Sequence, residues 1–318
     1  MIKYNETDYI KLVNELTPID EYNGYLRKRD DLFNVNGISG GKVRQCLNIV
    51  HSNLDYIKNE CSNTIITNAG LPAPQSNITA VTANYFGLDC IVSVPYYDNK
   101  MKDYNRINTS LAQKLGANIY GCGNPNISGP EKDVEMMCKQ YGYFRIKFTN
   151  YGDIVMNTIS NQVENIPDTL ENIVCIGGNG LSALGVCLGI KKFNKKVKNV
   201  YIVTLSDYTL NNKKKWYDVL PNDVKYDGNL QIIRSDISYQ TFHQIDNGFE
   251  FDLTYESKAW QWMIDNISPS NETLFWMVGV KNYDLSNIEN INWNKSYYEN
   301  ELDKKRIKYE SIEHNFFT

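Results

Sequence analysis

Histidine is nearly missing from this chain of 318 residues: His51, His243 and His314 are all it has. None is spaced to share a metal ion with another His. No G-x-S-x-G turn is present to supply a hydrolase serine beside them. Paired cysteines are missing as well. Cys46, Cys61, Cys90, Cys122, Cys138, Cys175 and Cys187 are odd in number and contain no C-x-x-C, which speaks against a zinc site or a disulfide framework. Cys46, Cys90, Cys175 and Cys187 lie among apolar neighbours and read as small core residues. No run of about 18 apolar residues occurs, so no helix is expected to span a bilayer. Met1-Ile2-Lys3-Tyr4-Asn5-Glu6 lacks the apolar core of a signal peptide, and the expected location is the cytoplasm. Positive charge is not in excess. The net charge of −4 argues against a dedicated nucleic-acid binder, whose phosphate contacts need a basic surface. Alanine is scarce, whereas Asn (40) and Tyr (23) are abundant, a bias of the kind an AT-rich genome imposes. With 42% hydrophobic and 22% charged residues, the remainder is ordinary for a globular chain.

What is present is an alternation. Residues 64–67, 90–94, 173–176 and 200–205 are short apolar runs bounded by Gly, Pro, Asn or Asp, and they predict buried strands. Helical patterns cover 43–58, 76–86, 106–115, 130–141, 154–164 and 181–192. Such alternation predicts an α/β fold with largely parallel sheets, in which ligands bind at the carboxyl ends of the strands. The basic run Asn211-Asn212-Lys213-Lys214-Lys215 reads as a solvated loop, and the Asn- and Tyr-rich tail after about 284 carries no clear pattern.

The chemistry is concentrated in a few clusters. Arg27-Lys28-Arg29-Asp30-Asp31-Leu32 precedes Asn36-Gly37-Ile38-Ser39-Gly40-Gly41-Lys42-Val43-Arg44. A Gly-Gly pair lets the backbone approach a ligand closely. A P-loop does not fit, because Gly37 to Gly41 encloses three residues where four are needed and Val43 stands where Ser or Thr is required. Lys42 reads either as an exposed lysine at a helix start or as an amine that attacks a carbonyl. The second role requires a neutral amine, through desolvation or a cationic field that Arg29 and Arg44 could supply. Asn68-Ala69-Gly70-Leu71-Pro72-Ala73-Pro74-Gln75-Ser76-Asn77 follows the strand at 64–67; it places Ser76 near a helix N-cap, where backbone N–H groups also face an anion. Gly177-Gly178-Asn179-Gly180-Leu181-Ser182 follows the strand at 173–176 and opens a helix. It reads as a phosphate cradle or as a plain tight turn. A dinucleotide fingerprint is weaker, although Leu205-Ser206-Asp207 stands near the right distance. Asp252-Leu253-Thr254-Tyr255-Glu256-Ser257-Lys258-Ala259 alone reads as a surface helix start. Taken together, a lysine for an imine, a glycine cradle for a monophosphate and polar groups around a ring match pyridoxal phosphate.

On these residues the chain resembles the tryptophan-synthase-β-like (fold type II) pyridoxal-phosphate enzymes. Within them it is most similar to the branch of 1-aminocyclopropane-1-carboxylate deaminase and D-cysteine desulfhydrase. That branch carries K-R-E-D and then G-G-N-K-x-R-K-L, and Lys28-Arg29-Asp30-Asp31 and Ser39-Gly40-Gly41-Lys42-Val43-Arg44-Gln45 keep the spacing. The resemblance implies that Lys42 is the internal-aldimine lysine. It implies that Asn77 bonds the cofactor's phenolic oxygen, and that Ser76 contacts the substrate carboxylate or acts near its carbon. Gly178, Asn179, Gly180, Leu181 and Ser182 match the phosphate loop, and Leu111-Ala112-Gln113-Lys114-Leu115-Gly116-Ala117 matches a segment ending in L-G-A. Thr254-Tyr255-Glu256-Ser257-Lys258 matches V-Y-E-G-K, which makes Glu256 the carboxylate facing the pyridine nitrogen and Tyr255 a substrate-side acid or nucleophile. A carboxylate there keeps the ring nitrogen protonated and strengthens the electron sink, which favours the deaminase side. Departures are Gly41 in place of Asn, the longer loop with Pro72 and Pro74, and Trp276-Met277-Val278-Gly279 with one glycine where the family has two. The family's distal tyrosine loop is not recognisable in 206–250.

The resemblance further implies two three-layer α/β domains, 1–50 with 166–318 and 51–165, with the cofactor in the cleft between them, a small amino-acid substrate and a homodimer. The expected reaction is deamination or elimination through a Lys-linked aldimine and a carbanion, giving ammonia and a 2-oxo acid. Rival readings are a changed pocket for a larger, conjugated amino acid, even one on a modified nucleobase of viral DNA, and a catalytically silent binding module. A dehydrogenase with the glycine loop on a dinucleotide is a further one. No membrane or metal is expected.

Overall fold

The structure is a computed structural model that describes residues 1–71, 73–95, 103–123, 128–147, 152–178, 180–205, 225–238, 251–252, 255–279, 288–301 and 304. The chain divides into two compact units, each built from separate stretches. One comprises Met1–Tyr4, Val50–Lys147 and Tyr283–Thr318, the other Asn5–Ile49 and Phe148–Asn282. Compared with the expected 1–50 with 166–318 and 51–165, the stretch 148–165 falls in the larger unit, where the helix Gly152–Asn161 packs on the helix Leu181–Lys192, and the tail from Tyr283 falls in the smaller one, where the strand Trp293–Lys295 pairs with Asn118–Cys122.

In the larger unit β1 (Ile19–Tyr22) and β2 (Tyr25–Arg29) form an antiparallel hairpin. From β2 onward the sheet is parallel: β9 (Thr169–Gly177), β10 (Lys196–Thr204), β11 (Asn229–Arg234) and β12 (Ser270–Met277) give the order β1-β2-β12-β9-β10-β11. In β9 and β10 the amino-terminal halves alternate between exposed and buried, while the carboxyl-terminal residues Ile173–Gly177 and Ile202–Thr204 are continuously buried. Burial on both faces explains why those runs read as apolar blocks. Helices α1 (Glu6–Asn14), α2 (Gly41–His51), α7 (Gly152–Asn161), α8 (Leu181–Lys192) and α9 (Glu256–Asn266) accompany the sheet. Asn5 caps α1 by accepting hydrogen bonds from the Thr7 and Asp8 N–H groups. The core is aromatic: Trp260 meets Phe251 and Phe275 at ring-centre distances of 5.0 and 5.2 Å, and Tyr25 at 5.6 Å. The Tyr25 hydroxyl donates to the Ile267 carbonyl, so its polar end is satisfied inside.

The smaller unit has a wholly parallel sheet. β5 (Thr64–Asn68), β6 (Asp89–Pro95), β7 (Asn118–Cys122), β8 (Phe144–Arg145) and β13 (Trp293–Lys295) run in the order β13-β7-β6-β5-β8. Its helices are α3 (Leu54–Glu60), α4 (Gln75–Phe86), α5 (Asp103–Lys114) and α6 (Ser128–Tyr141). The tail, unreadable as sequence, joins this unit through β13 and through Asp133. That buried carboxylate accepts from Ser93 Oγ, Ser296 Oγ and the Tyr298 N–H. Among the described residues no helix is long and apolar enough to cross a membrane. Asn179, Pro72 and most of 206–250, with the basic run 211–215, lie outside the described residues.

Candidate active site

Strand register puts the expected residues of the larger unit at one end of its sheet. Met277 lies opposite Arg29, Trp276 opposite Cys175, and Thr204 opposite Gly177. The segments that follow β2, β12, β9 and β10 therefore leave the sheet side by side, at strand spacings of about 4.8 Å. The first carries Asp30 and Asp31, the second Val278 and Gly279, the third the glycine loop.

Lys42 reaches this end through two glycines. Gly40 has φ +115°, and a Cβ there would stand 2.7 Å from the Gly279 carbonyl oxygen, so the turn before α2 lies directly on the turn after β12. A Cβ on Gly41 would collide with the Asp30 carboxylate. That collision accounts for the missing Asn before the lysine: the space belongs to Asp30, which pairs with Arg44 and is 1% exposed. Lys42 is open to solvent, yet dense protein around it disfavours the ammonium, while the Asp252 carboxylate opposes the effect. The net direction is down, so this amine sheds its proton more readily than an ordinary lysine. The cationic field expected from Arg29 and Arg44 is not the cause. Arg29 is bound by Asp31 and Asp20 at 2.7–3.0 Å, and Arg44 by Asp30, so their charges are already neutralised.

Glu256 is the first residue of α9 and is 1% exposed, not on a surface helix start. Its Oε1 accepts the Val278 and Gly279 N–H groups, each at 2.5 Å. A Cβ on Gly279 would lie 2.6 Å from Oε2, so the one glycine kept in this turn is the one the carboxyl needs. Burial pushes Glu256 up to about 8; the nearby Asp31 and Asp252 charges add to this, and the two N–H bonds oppose it. Tyr255 caps α9, packs against the aromatic core and donates its N–H to Asp252 Oδ1 at 2.6 Å. Lys258 is buried and donates to the Ser238 carbonyl.

The glycine loop follows β9. Gly180, at φ +86°, is the N-cap of α8 and offers no side chain to close it. Gly178 has open space over its Cα. Leu181 is buried and Ser182 half-buried in the first turn. Ser76 and Asn77 belong to the other unit, at the carboxyl end of β5. Ser76 is not an N-cap: α4 begins at Gln75 behind Pro74, which makes no side-chain cap. Both side chains are fully buried, and Ser76 Oγ and Asn77 Oδ1 have no hydrogen-bond partner among the described residues.

No family model and no curated protein matches the chain in sequence. Solved structures do match. A pyridoxal 5'-phosphate-dependent aspartate racemase aligns with a TM-score of 0.60 at 16% identity, over 91% of this chain and 98% of its own. An ACC deaminase homologue gives 0.61 at 17% identity, over 84% and 90%. Serine racemase from Dictyostelium discoideum gives 0.59 at 13% identity, over 87% and 97%. The fold is that of these enzymes. On this fold, Lys42, Glu256 and the glycine loop share one sheet end. The sequence reading did not single out Asp252, Asp31 or Gly279. Asp252 and Asp31 stood inside quoted clusters, and Gly279 was visible as the surviving half of a Gly-Gly pair.

Proposed function

We propose that this chain is a pyridoxal-phosphate-dependent enzyme that takes an amino acid through elimination of a side-chain leaving group, or ring opening, and hydrolysis by water to ammonia and a 2-oxo acid. The observation that carries the reading is the paired turn of Gly40 and Gly279, which sets the Lys42 amine and the Glu256 carboxyl at one end of one sheet. The residues fit the cofactor. A Lys42 amine that sheds its proton more readily than an ordinary lysine suits attack on a carbonyl. Gly178 and Gly180 at the start of α8 allow a phosphate to approach N–H groups at the positive end of a helix. Ser76 Oγ and Asn77 Oδ1 are buried polar atoms whose isolation costs about 1–3 kcal/mol each until something meets them. In this reading Ser76 holds the substrate carboxylate and Asn77 faces the phenolic oxygen.

When bound, the cofactor withdraws electrons from the substrate Cα and makes its proton removable. Lys42 would hold the cofactor, and its Nζ, once free, would take that proton and later return it. Glu256, which keeps its proton up to about pH 8 in the cofactor-free chain, would pass that proton to the ring nitrogen and face it as a carboxylate, with Oε1 fixed by the Val278 and Gly279 N–H groups. Tyr255 serves as a proton donor on the substrate side. A carboxyl beside the nitrogen strengthens electron withdrawal, which favours breaking a bond beyond Cα over simple inversion. A symmetric pair of chains is the assembly we expect.

The purified protein mixed with pyridoxal phosphate should turn yellow, and borohydride should fix one cofactor on the peptide containing Lys42. Lys42→Ala should abolish both the adduct and release of ammonia and 2-oxo acid. A protein that stays colourless with the cofactor, or a K42A variant with full turnover, overturns the reading.

A further inference from the structure

Asn77 does not stand alone in the smaller unit. Its Nδ2 donates to Asn108 Oδ1 at 2.8 Å, across the α4–α5 contact. Asn108 is 3% exposed and Asn77 fully buried, so water does not compete for this bond. A carboxamide has a donor end and an acceptor end on one flat group. Whatever holds one end of Asn77 therefore decides which end points away. As the pair stands, Nδ2 faces Asn108 and Oδ1 is left without a partner. Turning both amides would let Asn108 donate and would point the Asn77 N–H groups outward instead.

Asn108 supplies the acceptor for the bond as it stands. A hydrocarbon or a lysine at 108 could not. Its helix is also held firmly. The Asn84 side chain donates to the Leu115 carbonyl just past the end of α5, Ser110 Oγ accepts the Glu289 N–H, and Gln113 bonds Asn290 and Asn292 of the tail. The amide at 108 thus sits on a support fixed from two sides.

We propose that Asn108 is a positioning residue, whose carboxamide sets which atom of Asn77 is presented to the phenolic oxygen of the cofactor. This rests on the reading above, in which Asn77 faces that oxygen. In this proposal Asn108 acts through Asn77, to which it is hydrogen-bonded.

The test is a double-mutant cycle with Asn77→Ala, Asn108→Leu and both together, in the full chain loaded with pyridoxal phosphate. Cofactor affinity is read from tryptophan fluorescence, and the pH midpoint of the visible cofactor band is read alongside it. Asn108→Leu should weaken the cofactor about tenfold, the equivalent of one hydrogen bond, and should move the midpoint. In the Asn77→Ala background the same change should do nothing. Asn108→Ser, which is polar and too short to reach Asn77, should repeat the effect and serves if the leucine variant does not fold. An unchanged affinity and midpoint in both Asn108 variants overturns the proposal, as does an effect that persists without Asn77. A fall in melting temperature with no movement of the midpoint shows a merely structural residue and also overturns it. Failure of the parent reading looks different: the unmutated protein then binds no cofactor, or Asn77→Ala binds it as well as the unmutated protein does.

Discussion

Burial holds a proton on Glu256 up to about pH 8, and this ties the stability of the cofactor-free chain to pH. In the unfolded chain the same carboxyl ionises near its ordinary 4.5. Between these values the folded state keeps a proton that the unfolded state has lost. The stabilisation is complete below about 4.5 and disappears as pH rises through about 8. The slope approaches about 1.4 kcal/mol per pH unit. Lys28 works in a separate window. Burial lowers it to about 7, Asp30 opposing and Arg44 assisting, so between about 7 and 10.5 stability rises with pH. The Glu256 effect is therefore read below neutrality. Urea unfolding from about pH 5 to about pH 7 should show stability falling with pH, and Glu256→Gln should flatten that fall; equal slopes in the two proteins would show an ordinary carboxyl. Gly41 allows a second measurement. Gly41→Ala drives a methyl group into the Asp30 carboxylate that Arg44 already holds. The variant should lose about 1–3 kcal/mol, as overpacked sites do. It should also label poorly with cofactor and borohydride, because the turn that aims Lys42 must move. Labelling at the normal rate would show that Asp30 yields freely.

At the scale of elements, what could be read from sequence follows from how each segment is buried. β5, β6, β9 and β10 were legible because each carries a run of buried, mostly apolar residues. The β1–β2 hairpin was not, because three of its four buried positions, on both faces of β2, are Arg27, Lys28 and Arg29. These are buried through pairs with Asp20 and Asp31 and through the Thr17 carbonyl, which no hydrophobic pattern announces. The single helix expected over 43–58 is two, α2 and α3, parted at Ser52 and Asn53. The site behaved the same way. Lys42 and the glycine loop stood out as proposals because their patterns are rare in sequence and Glu256 entered only through the resemblance, whereas Asn108 was hidden among forty asparagines. Several of those asparagines have a backbone role: Asn23, Asn36, Asn63 and Asn194 take positive φ, where Asn is better tolerated than most residues. The α7–α8 contact gives the element its own prediction. A Cβ on Gly185 would stand 2.8 Å from Ile159, and one on Gly189 would meet Val163 and the Ser160 carbonyl. Gly189→Ala should push α7 off α8, cost about 1–3 kcal/mol and lower the melting temperature by several degrees. A gain in stability, as expected for an exposed helical glycine, would show that the two helices can part without loss.

At the scale of the whole molecule, the chain changes unit after Tyr4, Ile49, Lys147 and Asn282, so each unit depends on distant stretches of sequence. The smaller unit closes with the tail. β13 adds three residues beside β7, and Glu299 Oε1 accepts the Gly123 N–H at 2.7 Å. The deepest link is Asp133, fully buried on α6, which takes Ser296 Oγ at 2.7 Å and the Tyr298 N–H at 2.7 Å. Removing one donor leaves a buried negative charge short of a partner, a loss of about 1.5–3 kcal/mol for a bond to a charged group. Ser296→Ala should therefore loosen the tail and the elements it covers. The effect should be local, because Asp133, Ser93 and Ser296 all belong to one unit. Native-state hydrogen exchange reads this directly. Protection should fall in β6, β7 and α6, while β9, β10 and α8 of the larger unit keep theirs. An equal fall in both units would mean that they unfold as one body, and that the tail supports the entire chain, not the smaller unit alone.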